Sequence, residues 1–305
     1  MPEFDLGVVL WTMEDAGTRE TPRWSTLKQQ ALLAEEAGFN TVWVADELQW
    51  ESDDFDGPRG WWECGAIAGA LAASTSTIGV GTWVLSALHR NPGLIVKTAE
   101  TLDEISGGRF IFGLGSGHAG RQGEAFGFPP NYTVSRYEEA LSIITALRAD
   151  KTTTQIGTFH TAKAQVLAPL GPSGANSPLM LAGHGERTMT IAANNADIWS
   201  GFATASSQPE AFKDMLAQLD GICAEVGRDP GTLGRSIGIF VSPPGSTPLP
   251  QFAGEKPLAG SVEEIAEALV RFKSMGFTRV EIMSAGATED VIGGLAPVLD
   301  EIRSA

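Results

Sequence analysis

The sequence has few cysteines and few histidines. Its 305 residues include two cysteines, Cys64 and Cys223, and four histidines. Both cysteines lie in apolar helical patterns far apart in the chain, and no C-x-x-C spacing is present. We therefore expect two buried free thiols rather than a disulfide. His89 and His160 have no partner at ligand spacing, so the sequence predicts no metal site.

Basic residues are also scarce. Lys and Arg total 21 against 37 Asp and Glu, which gives a formal net charge of −16 at pH 7. A chain this acidic repels phosphate backbones and has little attraction for anionic lipid surfaces. This charge argues against nucleic acid and membranes as partners, and an anionic cofactor would have to be held by local charge and backbone dipoles.

No apolar run is long enough to span a bilayer, although hydrophobic residues make up 43% of the sequence, enough for a large core. A strand pattern begins almost directly after the first residue, so no signal peptide is expected. We expect a cytoplasmic protein whose partner is a small-molecule substrate.

Strand and helix patterns alternate along the whole chain. The predicted strands are 5–11, 41–46, 76–85, 109–115, 179–182, 198–200, 236–241 and 279–283. The predicted helices are 26–37, 62–74, 92–105, 136–147, 186–194, 209–226, 261–275 and 288–302. Eight such pairs with continuously apolar strands favour a closed parallel barrel. We expect an α/β fold, a single (β/α)8 TIM-barrel domain over residues 1–305, with a hairpin at 152–166 and a loop at 243–257 as insertion segments.

A G-x-G-x-x-G pattern at Gly115, Gly117 and Gly120 indicates a rival, doubly wound dinucleotide fold. The segment that follows, RQGEAFGFPPN, is predicted not to be a helix. No acidic residue ends a second strand at the proper spacing, and the pattern lies in the fourth strand–helix unit rather than the first. The barrel is therefore the expected fold.

Active sites of such barrels lie at the C-terminal ends of the strands. After the second strand come Asp46 and Glu47, a carboxylate pair that can titrate apart, one charged and one protonated. Acids of a solvated, helix-capping loop would give the same pattern. After the third strand comes Trp83, which can stack on a planar ring or pack in the core.

Two of the four histidines follow strand ends. The fourth strand leads into Gly115-Ser116-Gly117-His118, in which the glycines let a flat ring or a phosphate approach the backbone. His118 can transfer a proton near neutral pH. His184 holds the matching position after the fifth strand. Two histidines at matching positions favour a functional role over a structural one.

The segment GHGERT at 183–188 opens a helix. Its N–H groups, the helix dipole and the side chains of Arg187 and Thr188 can bind a phosphate. An ordinary glycine loop is the alternative interpretation. No nucleophile elbow and no Walker motif is present in the sequence.

Five blocks of sequence resemble the luciferase-like monooxygenase family. They are NTVWVADE, TWVL…HRNP, ETLDEISGGRFIFGLGSG, PLMLAGHGERTMTIAANNADIWS and the closing EEIAEALVRFKSMGFTRVEIMSAG. The resemblance covers nearly the whole chain. The block T-L-D-x-x-S-x-G-R-x-x-x-G-x-G-x-G at 101–117 is its most specific part.

This resemblance implies a bacterial-luciferase-like barrel and a flavin or deazaflavin cofactor, namely FMN or coenzyme F420. It also implies a non-proline cis peptide bond at Trp83–Val84. Together with the strand-end residues it gives a set of candidate cofactor-binding residues. They are Asp46, Thr82, Trp83, Val84, Gly115, Ser116, Gly117, Gly183, His184, Gly185, Arg187 and Thr188.

The GHGERTM block and the segment FGFPP…SRYEEAL look more like the deazaflavin-dependent branch. That branch often has Asp-His after the second strand, where this sequence has Asp46-Glu47. His118 stands where some relatives have a glutamate. We expect His118 as the acid–base catalyst, with Glu47 as the alternative and with Asp46 and Glu47 orienting His118 or the substrate.

Three functions remain open at this point. The first is an oxidoreductase that transfers hydride between F420 and a small organic substrate. The second is an FMN-dependent monooxygenase that uses O2 and a separate reductase. The third is a non-catalytic flavin-binding barrel, which loss of the anion site or of the carboxylate–histidine group would favour. Both features are present. The resemblance also implies a homodimer formed through barrel helices.

Overall fold

The computed structural model describes residues 4–15, 17–51, 56–118, 120–247, 256–285 and 287–304. The predicted loop 243–257 and the end of the closing block 263–286 lie partly outside the described residues. The chain divides into two compact units. The first unit comprises Met1–Trp11, Ser25–Trp43 and Met180–Ala305, and the second comprises Thr12–Trp24 and Val44–Leu179.

The described strands follow the predicted order along the chain. They are β1 (Asp5–Leu10), β2 (Thr41–Val44), β3 (Gln49–Trp50), β4 (Arg59–Gly60), β5 (Gly79–Thr82), β6 (Leu85–Ser86), β7 (Phe110–Gly115), β8 (Thr152–Ile156), β9 (Thr161–Val166), β10 (Leu179–Ala182), β11 (Ile198–Phe202), β12 (Gly234–Val241) and β13 (Arg279–Ser284).

The helices alternate with these strands. They are α1 (Trp24–Ala37), α2 (Cys64–Ser74), α3 (Pro92–Ser106), α4 (Gly120–Phe126), α5 (Thr133–Asp150), α6 (Glu186–Asn195), α7 (Lys213–Glu225), α8 (Val262–Ser274) and α9 (Thr288–Ser304). Short 3-10 turns lie at Pro209–Phe212 and Pro230–Thr232. Ser261 and Glu264 form a capping box at the start of α8.

The first unit is built on parallel strands. Strand β11 pairs with β10 and β12, and β13 pairs with β12 and β1. Every residue of β13 and the last five of β1 are buried. Such continuous burial is expected where helices cover a parallel sheet.

A buried ion-pair network joins four strands of the first unit. Arg279 donates to Glu281 at 3.1 Å, to Thr41 at 2.7 Å and also to Asp5, while Ser236 donates to Glu281 at 3.1 Å. Burial raises the pKa of Glu281, and the interactions with Arg279 and the hydrogen bond from Ser236 oppose that rise. The network fixes the relative positions of β1, β2, β12 and β13.

The second unit contains the parallel strands β5, β6 and β7, and Val80 pairs with Phe110 between β5 and β7. A Cβ atom added at Gly113 would lie 1.8 Å from the carbonyl oxygen of Thr82. Only glycine fits this close approach of two backbones. Strands β8 and β9 form the antiparallel hairpin predicted at 152–166.

Strands β2 and β10 are the remaining strands of the sheet. Within the second unit, Trp83 donates its backbone N–H to Val44 at 2.8 Å and Phe112 donates to Pro178 at 2.9 Å. The sheet order is β10-β11-β12-β13-β1-β2-β5-β7-β6 with a further pairing of β10 to β7. Eight parallel strands thus form a closed ring with helices between them, and the predicted (β/α)8 barrel is confirmed.

Two local predictions were wrong. The segment after the glycine run was predicted as non-helical, but Gly120–Phe126 forms α4. This helix is short and has no apolar periodicity, which is why the pattern did not indicate it. The predicted strand 76–85 is interrupted, since Gly79–Thr82 and Leu85–Ser86 are separate strands.

The family-specific block 101–117 stabilises the fold. The fully buried Asp103 accepts hydrogen bonds from the backbone N–H of Ser173 at 2.8 Å and from its hydroxyl at 2.8 Å. Arg109 donates to Ala72 at 2.8 Å and to Ile78 at 2.5 Å, so it satisfies carbonyls at and beyond the C-terminal end of α2. The most recognisable motif therefore positions loops and helix ends around the strands.

Cys64 and Cys223 are buried free thiols, as predicted. None of the described helices is both long and apolar enough to cross a membrane. Within the described ranges, no three His, Cys, Asp or Glu side chains are grouped so that they could hold a metal ion.

Candidate active site

Asp46 follows β2 and is buried, with 4% of its surface exposed. Its Oδ2 accepts the backbone N–H of Ser86 at 2.8 Å, and the guanidinium of Arg90 donates to both carboxylate oxygens, to Oδ1 at 2.9 Å. Burial opposes ionisation, but the nearby imidazole of His89 and the hydrogen-bonded guanidinium of Arg90 outweigh it and lower the pKa of Asp46. Asp46 is therefore a charged anchor.

Glu47, the next residue, has the opposite character. It is half-buried, and burial raises its pKa to about 7, against the effect of a hydrogen bond from Gln122. The adjacent negative charge of Asp46 acts in the same direction as burial. The two neighbouring carboxylates titrate apart, as the sequence predicted, and Glu47 can gain or lose a proton near neutral pH.

Gln122 on α4 connects the loops that follow β2 and β7. Its Nε2 donates to Glu47 and, at 3.3 Å, to the carbonyl oxygen of His118, while its Oε1 accepts the backbone N–H of Leu48 at 3.0 Å. The side chain is 3% exposed. Gln122 was not predicted as a site residue, because the sequence pattern indicated no helix there. A buried amide leaves no sequence signal of its own.

Two further residues at this site, His89 and Arg90, were not among the predicted site residues. The side chain of His89 is 2% exposed, and its Nδ1 lies 3.6 Å from Asp46 Oδ2. Its ring stacks on Phe128 with centroids 4.9 Å apart. Arg90 joins the buried Asp46 to the partly exposed Glu63, at 2.5 Å. The signal that could have found them is a His-Arg pair directly before the Asn91 cap of α3.

The peptide bond Trp83–Val84 is cis, as predicted from the resemblance. Both residues are half-buried, so Trp83 is not wholly part of the core. Thr82 is fully buried and donates its hydroxyl to Gly113 at 2.8 Å. This hydroxyl therefore holds β5 against β7.

The loop after β7 places His118 at the surface. Gly115 ends the strand, and Gly117 has a φ of 83° with Ser86 Oγ 2.1 Å from where a Cβ would be, so this position needs glycine. The ring of His118 lies 5.8 Å from that of Trp50. Over the described part of the chain its imidazole makes no hydrogen bond, and its role as acid–base catalyst stays a prediction.

The predicted anion loop belongs to the first unit. Gly185 precedes the first turn of α6 and no side chain caps this end of the helix. A Cβ at Gly183 would lie 2.3 Å from Thr188 Oγ1, so the turn needs glycine here. Thr188 donates its hydroxyl to Gly185 at 2.8 Å, so this hydroxyl is used within the loop, and the role of the loop as an anion site stays a prediction.

His184 is fixed beside this loop. Its Nε2 accepts the backbone N–H of Phe202 at 3.1 Å, and the two rings meet edge to face at 4.6 Å. Burial lowers the pKa of His184, so the ring is neutral at pH 7. Because Nε2 accepts, the ring proton is assigned to Nδ1, which can donate.

A sequence model of the luciferase-like monooxygenase family matches residues 4–244, well over half of the chain. The chain belongs to the luciferase-like monooxygenase family. The predicted family membership is confirmed, and with it the prediction of an enzyme. The match ends before segment 263–286, whose resemblance to the closing block of the family stays a prediction.

Among curated relatives, the F420-dependent glucose-6-phosphate dehydrogenase of Microbacterium testaceum (strain StLB037) is 30% identical over 244 residues. The match covers 76% of this chain and 69% of that protein. Other F420-dependent relatives are matched over less than two thirds of their own length.

Two solved structures share the fold across almost the whole chain. An F420-dependent secondary alcohol dehydrogenase in complex with an F420-acetone adduct has a TM-score of 0.78 at 20% identity and covers 98% of each chain. A riboflavin lyase with modified FMN and riboflavin has a TM-score of 0.81 at 16% identity, covering 99% of this chain and 92% of that one. At these identities the likeness shows the fold alone.

Proposed function

We propose that the protein is an F420-dependent oxidoreductase that transfers hydride between the deazaflavin and a small organic substrate. The observation that carries this proposal is the 30% identity to an F420-dependent dehydrogenase over 76% of the chain. A carboxyl group with a pKa of about 7 at a strand end supports it, because hydride transfer to or from an oxygen-bearing carbon needs a proton exchanged in step.

The loop 183–188 would hold the phosphate of the cofactor. Two of its features fit such a group. The glycine at 183 is required by the turn, and the helix start after Gly185 carries no side-chain cap. The candidate phosphate-binding residues are Gly183, His184, Gly185, Arg187 and Thr188. Thr188 would shape the turn, since its hydroxyl donates to the Gly185 carbonyl rather than to the phosphate.

The strand ends of the second unit would hold the planar ring. The candidates are Asp46, Thr82, Trp83, Val84, Gly115, Ser116 and Gly117. When bound, the deazaflavin would accept or donate the hydride. Within this set Asp46 and Thr82 act through the backbone that they fix, since both are buried and hydrogen-bonded inside the protein. The half-buried Trp83 is the candidate for stacking.

An FMN-dependent monooxygenase is the second candidate. It is compatible with the fold, which a riboflavin lyase that contains modified FMN shares. It would need a reductase as a partner to supply reduced flavin. A homodimer and a single domain over residues 1–305 remain part of the proposal in either case.

Cofactor titration separates the two candidates. Purified protein is titrated with F420 and, separately, with FMN, and binding is followed by cofactor fluorescence. Loaded protein is then mixed with a panel of small secondary alcohols and sugar phosphates while the absorbance of oxidised F420 is recorded. We expect F420 to bind more tightly and to be reduced by at least one member. Binding of FMN alone would contradict the proposal.

A further inference from the structure

We propose that Glu47 exchanges the proton with the substrate and that Gln122 is its positioning residue. This inference rests on the proposed function, because it assumes hydride transfer at an oxygen-bearing carbon. It moves the proton-transfer role from His118, which the sequence favoured, to the residue after Asp46.

The side-chain amide of Gln122 makes three hydrogen bonds. One amide group contacts three separate backbone or side-chain positions: the Glu47 carboxyl, the Leu48 N–H and the His118 carbonyl. The amide is buried and lies on a helix, so its orientation is fixed by all three bonds together. Gln122 donates to Oε2 of Glu47, and among the described residues no hydrogen bond involves the other oxygen, which we assign to the substrate.

The neighbouring titratable groups are less suited to the role. Both oxygens of Asp46 are occupied by Arg90, and its Oδ2 also accepts from Ser86. His89 is enclosed between Asp46 and Phe128. No hydrogen bond among the described residues orients the His118 imidazole, and a proton-transfer group must be held at a defined position.

The groups around Glu47 set its protonation in opposing directions. Burial and the charge of Asp46 favour the neutral acid, whereas Gln122 and His89 favour the carboxylate. Arg90 acts mainly on Asp46, to which it is paired. The balance leaves the pKa of Glu47 at about 7, so both forms are populated at neutral pH.

The reaction step then balances. In the oxidative direction the substrate C–H bond breaks, and its electron pair and hydrogen leave as hydride to the oxidised deazaflavin. The substrate O–H bond breaks, its proton bonds to a Glu47 oxygen, and a C=O double bond forms. In the reductive direction neutral Glu47 returns the proton to the carbonyl oxygen as hydride arrives at carbon.

Gln122→Met is the variant that tests the positioning role, and Gln30→Met is its matched control. Methionine keeps the volume of glutamine but has no amide. Gln30 is also a buried helical glutamine whose Nε2 donates to a carboxylate, that of Glu289, at 2.9 Å. Both variants lose one amide–carboxylate hydrogen bond, but only the bond lost in Gln122→Met involves Glu47.

The first readout needs no cofactor. Infrared difference spectra of the full chain, wild type minus Glu47→Gln, follow the carboxylic acid C=O stretch of Glu47 against pH. We expect a midpoint near 7 in the wild type. Because a hydrogen bond from Gln122 favours the carboxylate, Gln122→Met is expected to move this midpoint upward by about one pH unit. Gln30→Met is expected to leave it unchanged.

The second readout is turnover on the substrate found for the wild type. Glu47→Gln is expected to bind F420 normally and to lose about 10²–10⁴-fold in kcat, the usual scale for a general acid or base. In the oxidative direction kcat is expected to rise with pH as Glu47 ionises. In Gln122→Met this rising limb of the kcat–pH profile is expected to move to higher pH by the same shift as the infrared midpoint. His118→Ala is expected to keep the position of that limb.

The outcomes separate the two proposals. Full turnover in Glu47→Gln, or an infrared midpoint of wild-type Glu47 near that of a free glutamate, overturns the role of Glu47. A rising limb of the kcat–pH profile that moves equally in Gln122→Met and Gln30→Met overturns the positioning role of Gln122. A wild type that does not bind F420 overturns the proposed function, and the cofactor-free infrared titration still measures the Glu47–Gln122 contact by itself.

Discussion

Asp46 and Glu47 are adjacent in sequence and chemically identical in their carboxyl groups, yet their surroundings give them different protonation states. Asp46 has a guanidinium and a backbone N–H against its oxygens, whereas Glu47 has one amide and a desolvating environment. Charge-assisted hydrogen bonds offset burial in the first case and a neutral donor does not in the second. The different protonation states of the two carboxyl groups are therefore set by residues that lie far away in sequence.

Glu47 is expected to make the protein less stable as pH rises. Its folded pKa of about 7 lies above the ordinary 4.5, so its contribution is complete below pH 4.5 and is lost as pH rises through about 7. Glu47→Gln has no titrating group at this position, so it does not lose this stability as pH rises. Relative to wild type, the variant is expected to gain about 1–3 kcal/mol in free energy of unfolding between about pH 5 and about pH 8. Urea unfolding at both pH values measures it, and a constant difference would argue against the raised pKa.

Asp46→Asn is expected to destabilise the protein at neutral pH by about 2–4 kcal/mol, because it removes the buried one of the two charged partners of the half-buried Arg90. Glu63→Gln removes the other partner of the same arginine at a half-exposed position. It is expected to cost only about 0–1 kcal/mol. The lowered pKa of Asp46 means that its contribution is present above its ordinary pKa and is lost as pH falls through the folded value. Equal costs for the two variants would contradict this account.

At the scale of elements, the strands and most helices were predictable because their apolar patterns are long and regular. The hairpin 152–166 and the cis bond after β5 were also predicted. The short helix α4 was not, since its sequence GRQGEAF contains two glycines and no apolar stripe. That one miss hid Gln122, and with it the contact that favours Glu47 over His118.

Pairings across the chain were equally out of reach of the sequence. Arg90 lies 44 residues from Asp46, and Gln122 lies 75 residues from Glu47. Local patterns locate both ends of such a pair, but only the folded sheet brings them together. The block 101–117 shows the converse. Its motif indicated the family, whereas the structural roles of Asp103 and Arg109 became visible only in the folded chain.

The packing of β5 on β7 predicts that Gly113 cannot be replaced. In Gly113→Ala the Cβ would lie 1.8 Å from the Thr82 carbonyl oxygen, a backbone atom that cannot rotate away. We expect a loss of about 3 kcal/mol or more in free energy of unfolding. Gly221→Ala in α7 is the control, since nothing lies within 4 Å of its added Cβ. It is expected to be neutral or to stabilise by about 0.5–1 kcal/mol. Chemical unfolding of both variants is the measurement, and similar stabilities would contradict the close approach.

For the whole molecule, the net charge of −16 and an anionic cofactor have to be reconciled. At the proposed phosphate site, donors at the start of α6 and the side chain of Arg187 would provide the attraction that the overall charge opposes. A protein with this balance is expected to bind its cofactor through short-range contacts. Long-range steering would work against association.

Arg187→Ala is expected to weaken F420 binding by about 1.5–3 kcal/mol, the range for a hydrogen bond to a charged group. Lys213→Ala removes an equal charge from an exposed position at the start of α7 in the same unit and is expected to leave affinity nearly unchanged. Fluorescence titration of folded variants gives the comparison. Unchanged affinity in Arg187→Ala would remove this residue from the phosphate site.

The same balance predicts how association depends on salt. The Debye length falls from about 30 Å at 0.01 M to about 8 Å at 0.15 M ionic strength, so salt screens the repulsion from distant carboxylates more than the contacts within loop 183–188. Raising ionic strength over this range is therefore expected to speed the association of F420, the opposite of the usual slowing for an attractive pair. Stopped-flow fluorescence measures the association rate at each salt concentration. Association that slows with added salt would show that the positive field of the loop outweighs the net charge even at long range.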